Sequence, residues 1–482
     1  MSRKFSLDVS PPVHRGMAVL DRDAFRKEIP ILAAKVSPAK AGKLLVSQVM
    51  KRYVVVSLSI ELVPMYFADT KSALLDVRRV KSVAGTDDGN RLVLLNFQDR
   101  ADLSPDVLEF LKEQSAEIVS HTLHLNYGYW TSGDILAAVL PEDLVEEAPS
   151  GFAAIGHIGM SHLNLNSEYL PYKHLIGQVI LDKNSPHLRT VVNKLDSISN
   201  QFRVFKMELL AGEPDYIVQH HESNCQFTFD FSEVYWNSRL HTEHARLVDQ
   251  FSPEDVVADV FAGVGPFAIP AAKKGCAVFA NDLNPESHKY LLTNIADNKV
   301  STLVQPSCED GRAFIRAAFN RAIDDPFPPV PPPKISKTKQ KQERAQRLRE
   351  DDSSRSPPRA SSPAPPSAPR RARITHFSMN LPELAIEFLD AFRGVLAAGN
   401  AGERPLSGLY GGHDAMPWVH CYCFTRELEP EKAAVDIRQR VEERLGHAVG
   451  QDTSFYLVRS VAPNKDMYCV SFRLPYDVAF AA

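Results

Sequence analysis

The stretch Asp259-Val260-Phe261-Ala262-Gly263-Val264-Gly265-Pro266-Phe267 constrains this chain more than any other. A mostly apolar run, Val256 to Val260, enters a tight glycine turn, and a helical run from Phe267 to Lys274 leaves it. Strand, turn and helix in that order open a nucleotide-type βα unit. About twenty residues on, the spacing of a ribose-binding acid, the run Ala277 to Ala280 ends in Asn281-Asp282-Leu283-Asn284. A further run, Leu303 to Pro306, ends at Glu309-Asp310-Gly311. The pattern predicts an adenosine-containing ligand.

The turn also excludes ligands. A phosphate-binding P-loop needs a Lys-Ser/Thr pair, and none follows Gly265. A dinucleotide site favours a third small residue where the helix meets the strand, and Pro266-Phe267 stands there instead. S-adenosylmethionine carries no phosphate and needs close backbone approach with carboxylate partners, which Gly263, Gly265, Asp282 and Asp310 supply. An ordinary α/β turn with solvated carboxylates gives the same local pattern.

The chain has 482 residues, enough for several domains, and its formal charge of −4 means that any RNA-binding surface must be local. Six scattered cysteines match neither a disulfide framework nor a zinc spacing, which fits a reducing compartment. His157 and His162 have no further metal ligand spaced with them, so no metal is expected. No apolar run is long enough to span a bilayer. The basic start, Met1 to Ser6, is soon interrupted by Pro11-Pro12 and lacks a secretory core. The default is cytoplasm and nucleus; the mitochondrial matrix stays open as a further location, although no clear transit peptide is present.

Three segments emerge. Residues 1–140 mix short patterns (a helix start at Asp21 to Glu28, strands at Tyr53 to Val56 and Arg91 to Phe97) and read as an accessory module. Residues 141–235 read as a linking α+β domain. It has strand-like Ala153 to Gly159 and Leu163 to Leu165, an ambiguous run Leu175 to Leu181, and an alternating strand Cys225 to Phe231. Residues 236–482 begin with a helix that Thr242 is placed to cap and continue into the glycine-turn sheet. At about 326–372 the chain is interrupted. Twelve of its 34 prolines lie between Pro326 and Pro369, with lysine, arginine and serine around them, which reads as a disordered basic insertion. Beyond it come strand Ile374 to Met379, helix Glu383 to Ala397, strand Trp418 to Phe424, helix Pro430 to Leu445, and a hairpin from Phe455 to Leu474.

Asn380-Leu381-Pro382 follows a strand after the adenosine-binding half, where such folds place the acceptor. Exocyclic-amine methyltransferases carry an aromatic after their Asn/Asp-Pro-Pro; here Glu383 follows Pro382, which argues against that chemistry. A cytosine-C5 enzyme needs a cysteine nucleophile, and the nearest, Cys308, reads as a small packing residue.

A wider set of strings occurs in one order: Asn193-Lys194, Phe202 to Gly212, Val234 to Leu240, Thr242-Glu243-His244, Phe261 to Phe267, Asn281 to Pro285, Asn380 to Pro382 and Val458 to Pro463. Together they resemble the eukaryotic and archaeal class I tRNA (guanine(37)-N(1))-methyltransferases, from about Gly151 to the C-terminus without the insertion. The resemblance implies an α/β, Rossmann-like class I methyltransferase sheet preceded by smaller α+β tRNA-binding domains. It implies S-adenosyl-L-methionine as cofactor, tRNA as partner and a monomer. The activity implied is methylation of guanine N1 at tRNA position 37, which in eukaryotic relatives is also the first step toward wybutosine on tRNA-Phe.

The resemblance also assigns roles. Guanine N1 carries a proton at neutral pH, so a general base is needed, and Glu243 takes that place. Arg203 matches the arginine that stabilises charge on O6, Asn380 the residue that orients the guanine edge, and Pro382 shapes the pocket. Around the cofactor it implies Asp282, Leu283 and Asn284 toward the ribose and adenine, and Asp310 and Gly311 beside the adenine. Phe261, Gly263, Gly265, Asn380 and Leu381 would lie along the rest, with His244 where some relatives have arginine. The target base would be extruded from its stem-loop.

Overall fold

The structure, a computed structural model, describes residues 7–51, 53–54, 70–146, 152–161, 167–195, 202, 204, 206–330, 369–398 and 406–481. The chain forms two compact units: Met1–Ala154 with Ile158–Lys194 and Glu208–Pro214, and Ile155–His157 with Leu195–Met207 and Asp215–Ala482.

In the first unit, Lys27–Val36 is the inner strand of a four-stranded sheet, pairing antiparallel with Arg91–Leu94 and Glu117–Leu125. The expected helix start at Asp21 to Glu28 is therefore wrong. Pairing of Lys27 to Lys35 with Glu117–Leu125, and of Ala33 to Val36 with Arg91–Leu94, outweighs a local helical preference, and the chain only turns at Arg22 to Ala24 before entering the strand. A second sheet combines Phe152–Ile155, Ile158–Ser161, Thr190–Lys194 and Met207–Gly212. The expected strand Ala153 to Gly159 is two strands broken by a turn at Gly156-His157, and Leu175 to Leu181 lies in the helix Lys173–Asn184. The segment 141–235 thus gives this sheet to the first unit and the hairpin Ile217–Glu222 with Cys225–Asp230 to the second. The expected strands at Val55-Val56 and Leu163 to Leu165 lie outside the described residues.

The second unit is built on seven strands: β1 Val256–Asp259, β2 Ala277–Asn281, β3 Val304–Ser307, β4 His376–Met379, β5 Trp418–Thr425, β6 Ser454–Ala462 and β7 Lys465–Arg473. They run in the order β3-β2-β1-β4-β5-β7-β6. The first five are mutually parallel, and β7 inserts antiparallel between β5 and β6. β1 and β2 are buried along their whole length, as strands covered on both faces must be. The order reverses between β1 and β4, and the carboxyl ends beside that reversal are where such sheets bind ligands.

Two local expectations change. Glu383 to Ala397 is not an α-helix: Leu381 carbonyl accepts from both Leu384 and Ala385, and a 3-10 stretch Ala385–Phe392 follows. Pro382 precedes it and Gly394, at φ +65, follows it; Ile386, Leu389 and Phe392 are buried, whereas Leu384 is exposed. Thr242 is not the N-cap. The 3-10 turn Ser238–Leu240, capped by Asn237, runs directly into the helix His241–Asp249.

Residues 331–368 of the insertion lie outside the described residues. Its ends are held together, since Phe327 and Arg371 exchange two backbone hydrogen bonds of 3.0 Å. Buried Arg371 donates to the carbonyls of Pro328, Pro253 and Gly275.

Candidate active site

The glycine turn is shaped by its two glycines and fastened by the strand ends beside it. Gly263 and Gly265 have φ of +53° and +100°, a region that side chains disfavour. At Gly263 a Cβ would meet open space, so backbone is presented to a ligand; at Gly265 it would lie 2.7 Å from Ile269 and 3.0 Å from Leu291. Gly265→Ala should therefore cost about 1–3 kcal/mol of stability; an unchanged denaturant midpoint would contradict this packing. The Gly263 N–H donates to Asp282 Oδ2 at 2.8 Å, and Asn284 N–H donates to Asp282 Oδ1 at 2.9 Å. Burial raises the Asp282 carboxyl above its ordinary value against those two donors. Each oxygen still keeps a lone pair for a hydroxyl.

The other expected cofactor residues divide. Leu283 is an exposed apolar side chain beside Asp282. Asp310 caps the helix Gly311–Asp324 through one oxygen, accepting from Arg312 and Ala313. Gly311 leaves no room for a Cβ, which would meet Phe261 at 2.9 Å and Phe388 at 3.1 Å, so it forms part of a close-packed wall. Asn284 is occupied in holding the fold. It caps the helix Pro285–Asp297 through its side-chain oxygen and donates from its side-chain amide to Glu233 carbonyl.

Asp259 was legible only as part of the turn, yet it is the most unusual group here. It is fully buried, and neither oxygen has a well-formed partner among the described residues. Burial first, then the charge of Asp282, push its carboxyl up to about 8, only partly opposed by the Phe261 N–H. A buried carboxyl group without a well-formed partner, beside an open glycine cradle, fits a ligand whose positive charge replaces its proton.

The acceptor side is assembled by β5. Buried Glu243 lies in the first turn of the helix His241–Asp249. Its Oε1 accepts from Tyr422 hydroxyl at 2.7 Å and Arg246 Nη2 at 2.6 Å, and its Oε2 accepts from Arg246 Nε at 2.6 Å. Two residues along β5, Phe424 N–H donates to Pro382 carbonyl at 3.1 Å. One strand therefore holds both Glu243 and the Asn380-Leu381-Pro382 motif, with backbone positions about 7 Å apart at the rise of a strand. Asn380 Oδ1 is buried without a partner, available to a ligand donor. Leu381 packs against the core.

His244 turns away from Glu243. Its Nδ1 lies 2.6 Å from buried Glu222 Oε1, and its ring meets Phe267 edge-on at 4.8 Å. Arg203 lies outside the described residues. Cys308 is exposed rather than packed, and partial loss of water around its sulfur, with the charges of Asp282 and Glu309, raises its thiol, the wrong direction for a nucleophile. Sequence reasoning missed Tyr422, Glu222 and Arg246. Only Arg246 carried a signal, its i,i+3 spacing from Glu243.

The sheet order, the glycine cradle with acidic strand ends and the motif after β4 define a Rossmann-like class I methyltransferase that uses S-adenosylmethionine. Residues 218–325 match the model of the TRM5/TYW2 methyltransferase domain, and residues 133–215 that of the TYW2 N-terminal domain. The chain is 52% identical over 487 residues to a tRNA (guanine(37)-N(1))-methyltransferase of Coprinopsis cinerea, covering 99% of each. It is 45% identical to that of Schizosaccharomyces pombe, covering 96% of this chain and 95% of the relative. Among solved structures, Trm5b of Pyrococcus abyssi aligns with a TM-score of 0.51 at 21% identity, over 92% of this chain and 100% of that one. A complex of aTrm5 with tRNALeu aligns at 0.53 and 17%, with the same coverages. The chain belongs to the tRNA (guanine(37)-N(1))-methyltransferase family.

Proposed function

We propose that Glu243 is the general base in the reaction of this family, transfer of a methyl group from S-adenosylmethionine to N1 of guanosine 37 in tRNA. The observation that carries this is the fastening of a buried carboxylate and the acceptor motif to the same strand, β5, through Tyr422 and Phe424. Glu243 removes the N1 proton, leaving the electron pair on N1 as nucleophile. The cofactor, when bound, supplies an electrophilic methyl on a sulfonium sulfur. Asn380, with its free amide oxygen, orients the guanine edge, and Pro382 borders the pocket. Arg203 neutralises charge that develops on O6.

Toward the cofactor, Asp282 receives ribose hydroxyls, Leu283 and Gly311 flank the adenine, and Gly263 presents its backbone. Asp259 meets the positive end of the methionine portion. Because the Asp259 carboxyl sits near 8 in the free protein, binding at pH 7 should release a proton, and affinity should weaken as pH falls from 8 to 6. Calorimetry in buffers of different ionisation enthalpy reads this directly; no buffer dependence would remove Asp259 from the site.

The described members of this proposed set come from one chain, which we propose acts as a monomer. On tRNA-Phe its product would be the starting point for wybutosine. The decisive substrate test compares a tRNA transcript with its G37→A variant. Methyl incorporation should vanish in the variant; undiminished incorporation would overturn position 37 as the target.

A further inference from the structure

The Glu243 carboxylate is held unevenly. A carboxylate offers about four lone-pair sites, two on each oxygen. Oε1 is filled by Tyr422 hydroxyl and Arg246 Nη2, whereas Oε2 receives, among the described residues, only Arg246 Nε. We propose that Oε2 is the atom that accepts the guanine N1 proton, and that Tyr422 and Arg246 are positioning residues that aim it; the assignment rests on Glu243 being the base. The N1–H bond breaks, an Oε2–H bond forms, and the electron pair stays on N1.

The clamp is braced from several elements. Tyr422 is fully buried on β5. Arg246 reaches from one helical turn further along and lies over the ring of Tyr456 on β6, 4.1 Å from its centre. The guanidinium is thus held between the carboxylate and an aromatic face. Other titratable groups stand close by: Cys469 on β7, buried with its thiol raised by burial to about 11; His420 on β5, held well below its ordinary value by burial; and His244, which is bonded to Glu222. When Oε2 takes the proton, both donors to Oε1 can remain in place, so transfer requires no rearrangement of the clamp. β5 also holds Pro382 through Phe424, so the strand that aims the base also fixes the acceptor motif.

The test is a double-mutant cycle on the single-turnover rate constant at saturating tRNA and cofactor, which counts only folded, loaded enzyme. Tyr422→Phe removes one hydroxyl and should slow the reaction roughly 10- to 100-fold, the range for a hydrogen bond to a charged group. KM for both substrates should stay within about twofold, because the clamp acts on the base and not on binding. In a Glu243→Gln background the same substitution should add nothing, because its effect passes through Glu243. A full rate in Tyr422→Phe, or the same loss repeated in the double variant, would overturn the proposal. A full rate in Glu243→Gln alone would instead overturn the base assignment. If Tyr422→Phe does not fold, Arg246→Lys tests the same point. Lysine keeps the charge but cannot span both oxygens, so the single variant should again be slow and the double no slower than Glu243→Gln; any other pattern counts against the clamp.

Discussion

Glu243→Gln should lower the methyl-transfer rate constant by roughly 10² to 10⁴, while affinity for S-adenosylmethionine stays near that of the wild type. A neutral amide cannot accept the N1 proton, and no other carboxylate is described within hydrogen-bond reach of Tyr422 and Arg246. The substitution has a second consequence. Arg246 loses its bidentate partner in a largely buried place, so the variant should also melt lower. The two effects separate experimentally: single-turnover kinetics on cofactor-saturated protein report the chemistry, and thermal unfolding reports the ion pair. A normal rate in a protein with a lowered melting point would leave Glu243 a structural residue and remove it as the base.

Asp259→Asn should move stability and affinity in opposite directions. The folded carboxyl is raised from its ordinary 3.8 to about 8. Between those values the folded protein holds a proton that the unfolded chain has released, so stability falls as pH rises from about 4 to about 8. The contribution is fully present below the lower value and lost above the upper one. Asparagine removes the titration and should flatten that part of the stability profile, leaving the free protein more stable at pH 8. The same change deletes the anion proposed to meet the cofactor's positive end, so affinity should drop roughly 10- to 100-fold. Parallel losses of stability and affinity would mean that Asp259 serves only the fold. The combination is the usual one for a binding group held at a cost to the free protein.

How much of this was legible in the sequence depends on how local each feature is. The glycine turn, the acidic ends of β2 and β3 and the motif after β4 are short, contiguous strings, and each lies where the strand–turn–helix pattern puts it. Asp259 sat in plain view within the turn, but its buried, unpartnered state depends on packing around β1 and on Asp282, 23 positions further on. Tyr422 and Glu243 stand 179 positions apart, and Glu222 and His244 22 apart. Those contacts exist only once β5 and the hairpin have packed on the helix, and no periodicity anticipates them. Thr242 misled for a related reason: a cap signal was present, but the preceding 3-10 turn had already started the helix. The Glu383 to Ala397 stretch forms 3-10 turns from Ala385 to Phe392 instead of the expected α-helix; Ile386, Leu389 and Phe392 are buried, whereas Leu384 is exposed.

The measurement that bears most directly on the account is identification of the product nucleoside. Unmodified tRNA carrying G37 is incubated with the full chain and labelled S-adenosylmethionine, digested to nucleosides and separated. The account predicts label in N1-methylguanosine alone, mapped to position 37 by a block to reverse transcription there. Label in a methylated adenosine or cytidine, or in guanosine methylated at another atom, would contradict it.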